Sequence, residues 1–262
     1  MKICVFGASG RELDRDYYEA AEELGALIAE HGHALVFGGS RNGLMGAAAH
    51  GAAACGGKVI GVMPREYDLP DVTFQGCTEL IYTDTVAERK RIMQEQSDGF
   101  IILPGGLGTL DEFFDTLAQR QLDKLRKPIA LLNTLDYYCA LELVIENCAK
   151  KGFMGLNCLD MFVLCDQPDE ALNYVVTSAS SGGTITSLYE RRKKRVKYQS
   201  VRGRAWLCPC YNFDERIIAP LPCPQWAVSV PSRRDSPAAA PYLHFFRRFL
   251  LNCSSVFDIM LE

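Results

Sequence analysis

Apolar residues recur along the first two-thirds of the chain in two alternating rhythms. Short continuous runs stand at Ile3–Phe6, Ala34–Phe37, Val59–Val62, Phe100–Leu103, Ile129–Leu132 and Met161–Leu164. Each has the length and composition of a strand buried on both faces. Between them, apolar positions return with helical spacing over Tyr17–Glu30, Leu44–Cys55, Val86–Gln96, Thr109–Leu122, Asp136–Lys151 and Pro168–Val176. Strand–helix alternation of this kind predicts an α/β fold: a doubly wound parallel sheet of modified Rossmann type with helices on both faces. Ligands of such sheets bind beyond the carboxyl ends of the strands. Four polar or glycine-rich turns fall at those ends, at Gly7–Gly10, Gly38–Gly46, Met63–Glu66 and Pro104–Thr109. Their convergence on one edge predicts one site.

The pattern stops near Ser178. Beyond it come a Ser/Gly stretch, the basic run Arg191–Arg195, and an irregular region holding both tryptophans, Trp206 and Trp226. Only Tyr242–Leu251 has the spacing of a short amphipathic helix. The expected organisation is a single domain over residues 1–178 with an irregular, basic tail over 179–262, and 262 residues suffice for one sizeable core.

Charge follows the same division. Residues 1–180 carry 15 Lys and Arg against 26 Asp and Glu, a net of −11, whereas the remainder carries 13 against 6. An acidic body argues against general nucleic-acid binding, which depends on neutralising phosphates, but leaves room for a small anion held by a few N–H groups and arginines. No run approaches the ~18 apolar residues of a membrane span, and Lys2–Phe6 reads as a first strand rather than a secretory segment. The 11 cysteines are scattered singly, as expected of reduced thiols in a cytoplasmic protein. Cys208-Pro209-Cys210 lacks zinc-ligand spacing, so no metal is expected.

The densest chemical signal is Leu103-Pro104-Gly105-Gly106-Leu107-Gly108-Thr109-Leu110-Asp111-Glu112, between a buried strand and a helix patterned on Phe113, Leu117 and Leu122. Backbone N–H groups in such a turn can close around an anion at the positive end of the helix. The run is neither the P-loop nor the dinucleotide pattern. It has a second, purely structural reading, in which Thr109-x-x-Glu112 is a capping box and the glycines only permit tight packing. The helix before this strand carries Glu88-Arg89-Lys90-Arg91. Here too a bland reading exists, since Arg89 and Lys90 can pair on the surface with Glu88 and Glu95, as Glu66 can simply be solvated.

Taken in order, Gly38-Gly39-Ser40-Arg41-Asn42-Gly43, Met63-Pro64-Arg65-Glu66, Arg89-Lys90 and Pro-Gly-Gly-x-Gly-Thr-x-x-Glu ending at Glu112 resemble the Lonely Guy (LOG) family over roughly residues 1–178. Its members are cytokinin riboside 5'-monophosphate phosphoribohydrolases, and an older label for the family is lysine decarboxylase. The resemblance implies hydrolysis of the N-glycosidic bond of an adenosine 5'-monophosphate, N6-substituted or not, without a cofactor, by a homodimer. It implies that Glu112 stabilises positive charge on the ribose or activates water, and that Arg89 binds substrate and keeps Glu112 ionised. It further implies that Gly105, Gly106, Leu107, Gly108 and Thr109 cradle the 5'-phosphate, that Lys90 adds charge, and that Glu66 meets the base or ribose. Ser9, Gly38, Gly39 and Gly43 would complete the wall.

The chain departs from the family where Thr85-Val86-Ala87 replaces Asp-Met-His, where Ser40 replaces a third glycine, and where Ala118-Gln119-Arg120-Gln121-Leu122 replaces Thr-Trp-x-Gln-Leu. These departures leave Arg89 and Glu112 in place and bear on base preference. Two other functions stand beside the hydrolase. Decarboxylation would need pyridoxal phosphate on a lysine, and Lys90 is the sole lysine in the motifs. A nucleotide-binding protein without turnover would use the cradle but has no task for a carboxylate beside it.

Overall fold

The computed structural model describes residues 1–180. The basic run Arg191–Arg195, the helix expected over Tyr242–Leu251 and nearly all of the expected tail lie outside the described residues. The elements are β1 (Lys2–Phe6), α1 (Arg15–Glu30), β2 (Ala34–Phe37), α2 (Gly43–Ala54), β3 (Val59–Pro64), β4 (Glu79–Thr83), α3 (Val86–Gln96), β5 (Gly99–Ile102), α4 (Leu107–Gln121), β6 (Ile129–Leu132), α5 (Cys139–Lys150), β7 (Val163–Cys165) and α6 (Pro168–Ser180). The strands form one sheet in the order β4-β3-β2-β1-β5-β6-β7, and every neighbouring pair is parallel. The chain winds outward from β1 to β4 and then returns to lay β5 on the other side of β1. The topological switch point therefore lies between the carboxyl ends of β1 and β5, where a crevice opens between diverging connections.

Alternate residues of each strand feed two cores. Ile3 and Val5 of β1 pack with Leu24 and Ile28 of α1, Ala48 and Ala52 of α2, and Leu172 and Val175 of α6. Cys4 and Phe6 face the other way, onto Met93 of α3, Phe113 and Leu117 of α4, and Ile145 of α5. Burial on both faces is why β1, β5 and β6 read as unbroken apolar runs. Helices α1 and α2 approach at backbone distance. A Cβ on Gly25 would overlap the Ala48 carbonyl, and one on Gly51 the Glu22 carbonyl. The small residues of α2 are there to permit that contact.

Four local features differ from expectation. β4, Glu79-Leu80-Ile81-Tyr82-Thr83, was not expected; it is a half-exposed edge strand with no apolar run to announce it. The strand expected over Met161–Leu164 is Val163–Cys165, because Leu156–Asp160 forms a 3-10 turn whose capping residue is Met161. The helix expected from Asp136 is broken: Thr134–Asp136 make a 3-10 turn, Leu135 and Asp136 take left-handed φ values of 53° and 59°, and α5 starts only at Cys139. Leu122 ends α4 and is largely solvent-exposed rather than part of its buried face.

Candidate functional site

The switch point is tied together by one residue. The Ala8 N–H donates to the Pro104 carbonyl at 3.0 Å, and the Ala8 carbonyl accepts from the Leu44 N–H at 2.8 Å. The loop after β1 thereby fixes both glycine-rich turns, the one before α2 and the one before α4. In the first, Gly43 has φ +64°, and a Cβ there would overlap the Ala8 carbonyl and the Ser9 backbone. Gly39, at φ +80°, lies against Met63. Gly38 leaves room for Arg89: a Cβ would come within 3.2 Å of Arg89 Nη1. Ser9 is exposed beside Gly43. The Ser40 hydroxyl, in the place of a third glycine, accepts from the Asn42 N–H at 3.1 Å.

The second turn is built differently. Gly106 is the N-cap of α4 and Leu107 its first residue, so Thr109 sits inside the helix and does not cap it. The capping-box reading of Thr109-x-x-Glu112 is therefore wrong. A T-x-x-E cap does occur, at Thr85–Glu88, where the Thr85 side chain accepts from the Glu88 N–H at 3.1 Å and the Glu88 carboxylate accepts from the Asp84 N–H at 3.0 Å. Thr85-Val86-Ala87 thus starts α3 and sets the direction of Arg89. Thr109 is buried and packs back on Gly105, where a Cβ would overlap its hydroxyl. At Gly106 and Gly108 a Cβ would meet nothing within 4 Å. Neither Gly105 N–H nor Gly106 N–H finds an acceptor among the described residues. The turn offers open donors at the positive end of a 15-residue helix.

One turn into α4, Glu112 lies on the buried stripe with Thr109, Phe113, Thr116 and Leu117. Its Oε1 accepts from Arg89 Nη2 at 2.8 Å, with side chains only 18% and 7% exposed for Arg89 and Glu112. Burial pushes the Glu112 carboxyl up to about 7; Arg89 and Lys90 pull it down without cancelling that effect, and Asp111 adds to it. Arg89 thus acts towards keeping Glu112 ionised, as expected of it, and burial opposes it. Arg89 Nε is buried and has no hydrogen-bond partner among the described residues. A donor left in that state costs roughly 1–3 kcal/mol, which fits a group kept for a ligand.

The remaining expected residues divide. Lys90 Nζ binds Asp111 at 2.7 Å, so its charge joins α3 to α4 beside the Arg89–Glu112 pair. Behind it, Gln94 donates to Asp115 at 2.8 Å and accepts from Gln119 at 2.8 Å, fixing the spacing of the two helices. Leu107 projects into solvent. Glu66 is exposed in the 3-10 turn Arg65–Tyr67 after β3, and no hydrogen bond or ion pair among the described residues joins it to Arg89 or Glu112. Two residues that sequence reasoning missed reach the second turn. Tyr137 Oη donates to the Gly105 carbonyl at 2.6 Å, and Tyr138 Oη donates to the Leu103 carbonyl at 2.6 Å. The available signal was a pair of tyrosines just beyond the carboxyl end of a buried strand.

Comparison with known proteins gives a consistent result. A family model described as "Possible lysine decarboxylase" matches residues 45–175. The chain is 39% identical over 154 residues to the cytokinin riboside 5'-monophosphate phosphoribohydrolase of Mycobacterium tuberculosis, covering 59% of this chain and 82% of that protein. It is 39% identical over 157 residues to the protein of the same name from Rhodococcoides fascians, covering 60% and 79%. Among solved structures, the molybdenum cofactor binding protein of Rippkaea orientalis aligns with a TM-score of 0.53 at 25% identity, over 67% of this chain and 95% of that one.

Proposed function

The chain belongs to this Lonely Guy family, and we propose that it hydrolyses the N-glycosidic bond of an adenosine 5'-monophosphate, N6-substituted or unsubstituted, to free base and ribose 5-phosphate. The observation that carries the proposal is a buried pair between Arg89 of α3 and Glu112 of α4, the helix whose amino end opens at the switch point. The 5'-phosphate binds the N–H groups of Gly105 and Gly106 and the first turn of α4. Arg89 holds the ribose or phosphate through donors that Glu112 leaves free. As the C1'–N9 bond lengthens, its electron pair leaves with the base and positive charge grows on the ribose. The Glu112 carboxylate stabilises that charge and takes a proton from the water that adds to C1'. The departing base takes up a proton from solvent and Glu112 returns to solvent the one it took from water, so atoms and charge balance.

The description of the family as a lysine decarboxylase is tested by the lysines. Lys90 Nζ is held by Asp111, and Lys127 Nζ is held by the Gln94 carbonyl at the far end of α3. With Lys90, the lysine of the motifs, engaged by Asp111, decarboxylation through a lysine-held pyridoxal phosphate is the less favoured reading. Binding without turnover leaves a buried carboxylate, raised towards neutrality, with no task beside a phosphate. Likeness of fold to a cofactor-binding protein does not alter that argument.

A homodimer and a cytoplasmic setting belong to the same proposal. Leu107, Phe114 and Leu122 expose an apolar stripe along α4, suited to a second copy, and the cysteines are scattered singly along the chain rather than spaced as a disulfide framework. A solution mass near twice 29.1 kDa supports the dimer, and a monomer mass rejects it. Chromatography of AMP and isopentenyladenosine monophosphate after incubation with the protein tests the reaction. Free base with equimolar ribose 5-phosphate is expected, the rate ratio reporting base preference. Intact nucleotide from both removes the hydrolase.

A further inference from the structure

We propose that Tyr137 is a positioning residue for the phosphate cradle, aiming the Gly106 N–H through a bond to the opposite side of the same peptide. The inference rests on the functional reading above and on backbone geometry. Three consecutive carbonyls of the second glycine turn are held from outside it: Leu103 by Tyr138 Oη at 2.6 Å, Pro104 by the Ala8 N–H at 3.0 Å, and Gly105 by Tyr137 Oη at 2.6 Å. A trans peptide is planar, so its C=O and N–H point in opposite directions. Anchoring the Pro104 and Gly105 carbonyls therefore turns the N–H groups of Gly105 and Gly106 away from those anchors, where no acceptor among the described residues meets them. Gly106, where a Cβ would meet nothing within 4 Å, would otherwise let the peptide it shares with Gly105 rotate.

The segment that carries the tyrosines is over-determined. Asn133 is buried; its Oδ1 accepts from the Tyr138 N–H at 2.8 Å, and its Nδ2 reaches Asp136 and Asp166 at 3.3 Å. Leu135 and Asp136 both take left-handed conformations, which non-glycine residues adopt only when surroundings enforce them. That bend brings both hydroxyls onto the turn. Tyr138 is fully buried and its ring belongs to the core, so its removal mixes stability with function. Tyr137 is half-exposed, its ring set edge-on against Tyr17 at 6.1 Å, and its hydroxyl can be removed alone.

The test is Tyr137→Phe in the full chain, with equilibrium binding of AMP, ribose 5-phosphate and adenosine. Loss of the bond is expected to weaken AMP and ribose 5-phosphate about 3- to 10-fold. Adenosine affinity should stay unchanged, Tm should fall by at most a few degrees, and in turnover KM should rise more than kcat falls. Equal loss for adenosine, or wild-type affinity for both phosphates, overturns the positioning role. Wild-type protein that binds AMP without cleaving it removes the hydrolase while leaving the Tyr137 comparison readable. Wild-type protein that binds neither phosphate removes the cradle and the positioning role together.

Discussion

Gly43 and Gly108 each open a helix that follows a buried strand, yet they answer different needs. A Cβ at Gly43 would overlap the Ala8 carbonyl, and its φ of +64° suits glycine. A Cβ at Gly108 would meet nothing within 4 Å, and its place inside a helix makes glycine a cost of roughly 1 kcal/mol against alanine. The first turn uses glycine to build the fold. The second keeps two glycines, Gly106 and Gly108, that packing of the folded chain does not require, next to unpaired N–H groups and a buried carboxylate. They fit the proposed ligand, which would approach the backbone closely.

Substitutions can break that comparison. Gly43→Ala should destabilise the protein by about 3 kcal/mol or more, since it adds both strain and overlap. Denaturant unfolding reads this, and near-wild-type stability would show that the first turn is not structural. Acid should act on the second turn alone. Because the base form of Glu112 is the deprotonated one and its carboxyl titrates at about 7, kcat/KM should rise close to tenfold per pH unit up to that point and then level off. A profile flat from pH 5 to 8 would deny Glu112 the role of base. Gly108→Ala, the mildest change, should raise the stability of the free protein by about 0.5 kcal/mol and weaken AMP binding several-fold. Unchanged AMP affinity would leave the open glycine without a functional reason.

The same contrast shows what the chain discloses before it is folded. Strands buried on both faces, such as Phe100–Ile102 and Ile129–Leu132, are legible because double burial leaves no polar position to interrupt them. The edge strand Glu79–Thr83 is not, since half of it faces solvent. The Thr109-x-x-Glu112 spacing mimics a helix cap, whereas the functioning cap is Thr85–Glu88. Spacing cannot tell which threonine precedes a helix and which lies within it. Arg89 and Glu112 were legible as a pair of motifs, but their 2.8 Å contact and burial come from the sheet order that sets α3 beside α4. Tyr137 and Tyr138 looked like the interior of a helix, and only the left-handed bend at Leu135–Asp136 turns their hydroxyls onto the glycine turn.

In the proposed reaction the open turn holds a phosphate so that Glu112 can act on the glycosidic bond. Its most direct test follows release of free base from AMP by wild-type protein and by Glu112→Gln, with AMP binding measured on both. Release by wild type is expected, with a rate lower by about 10²- to 10⁴-fold in the variant and AMP affinity preserved within a few-fold. Equal rates in the two proteins would contradict it, as would a wild type that binds AMP and never releases the base.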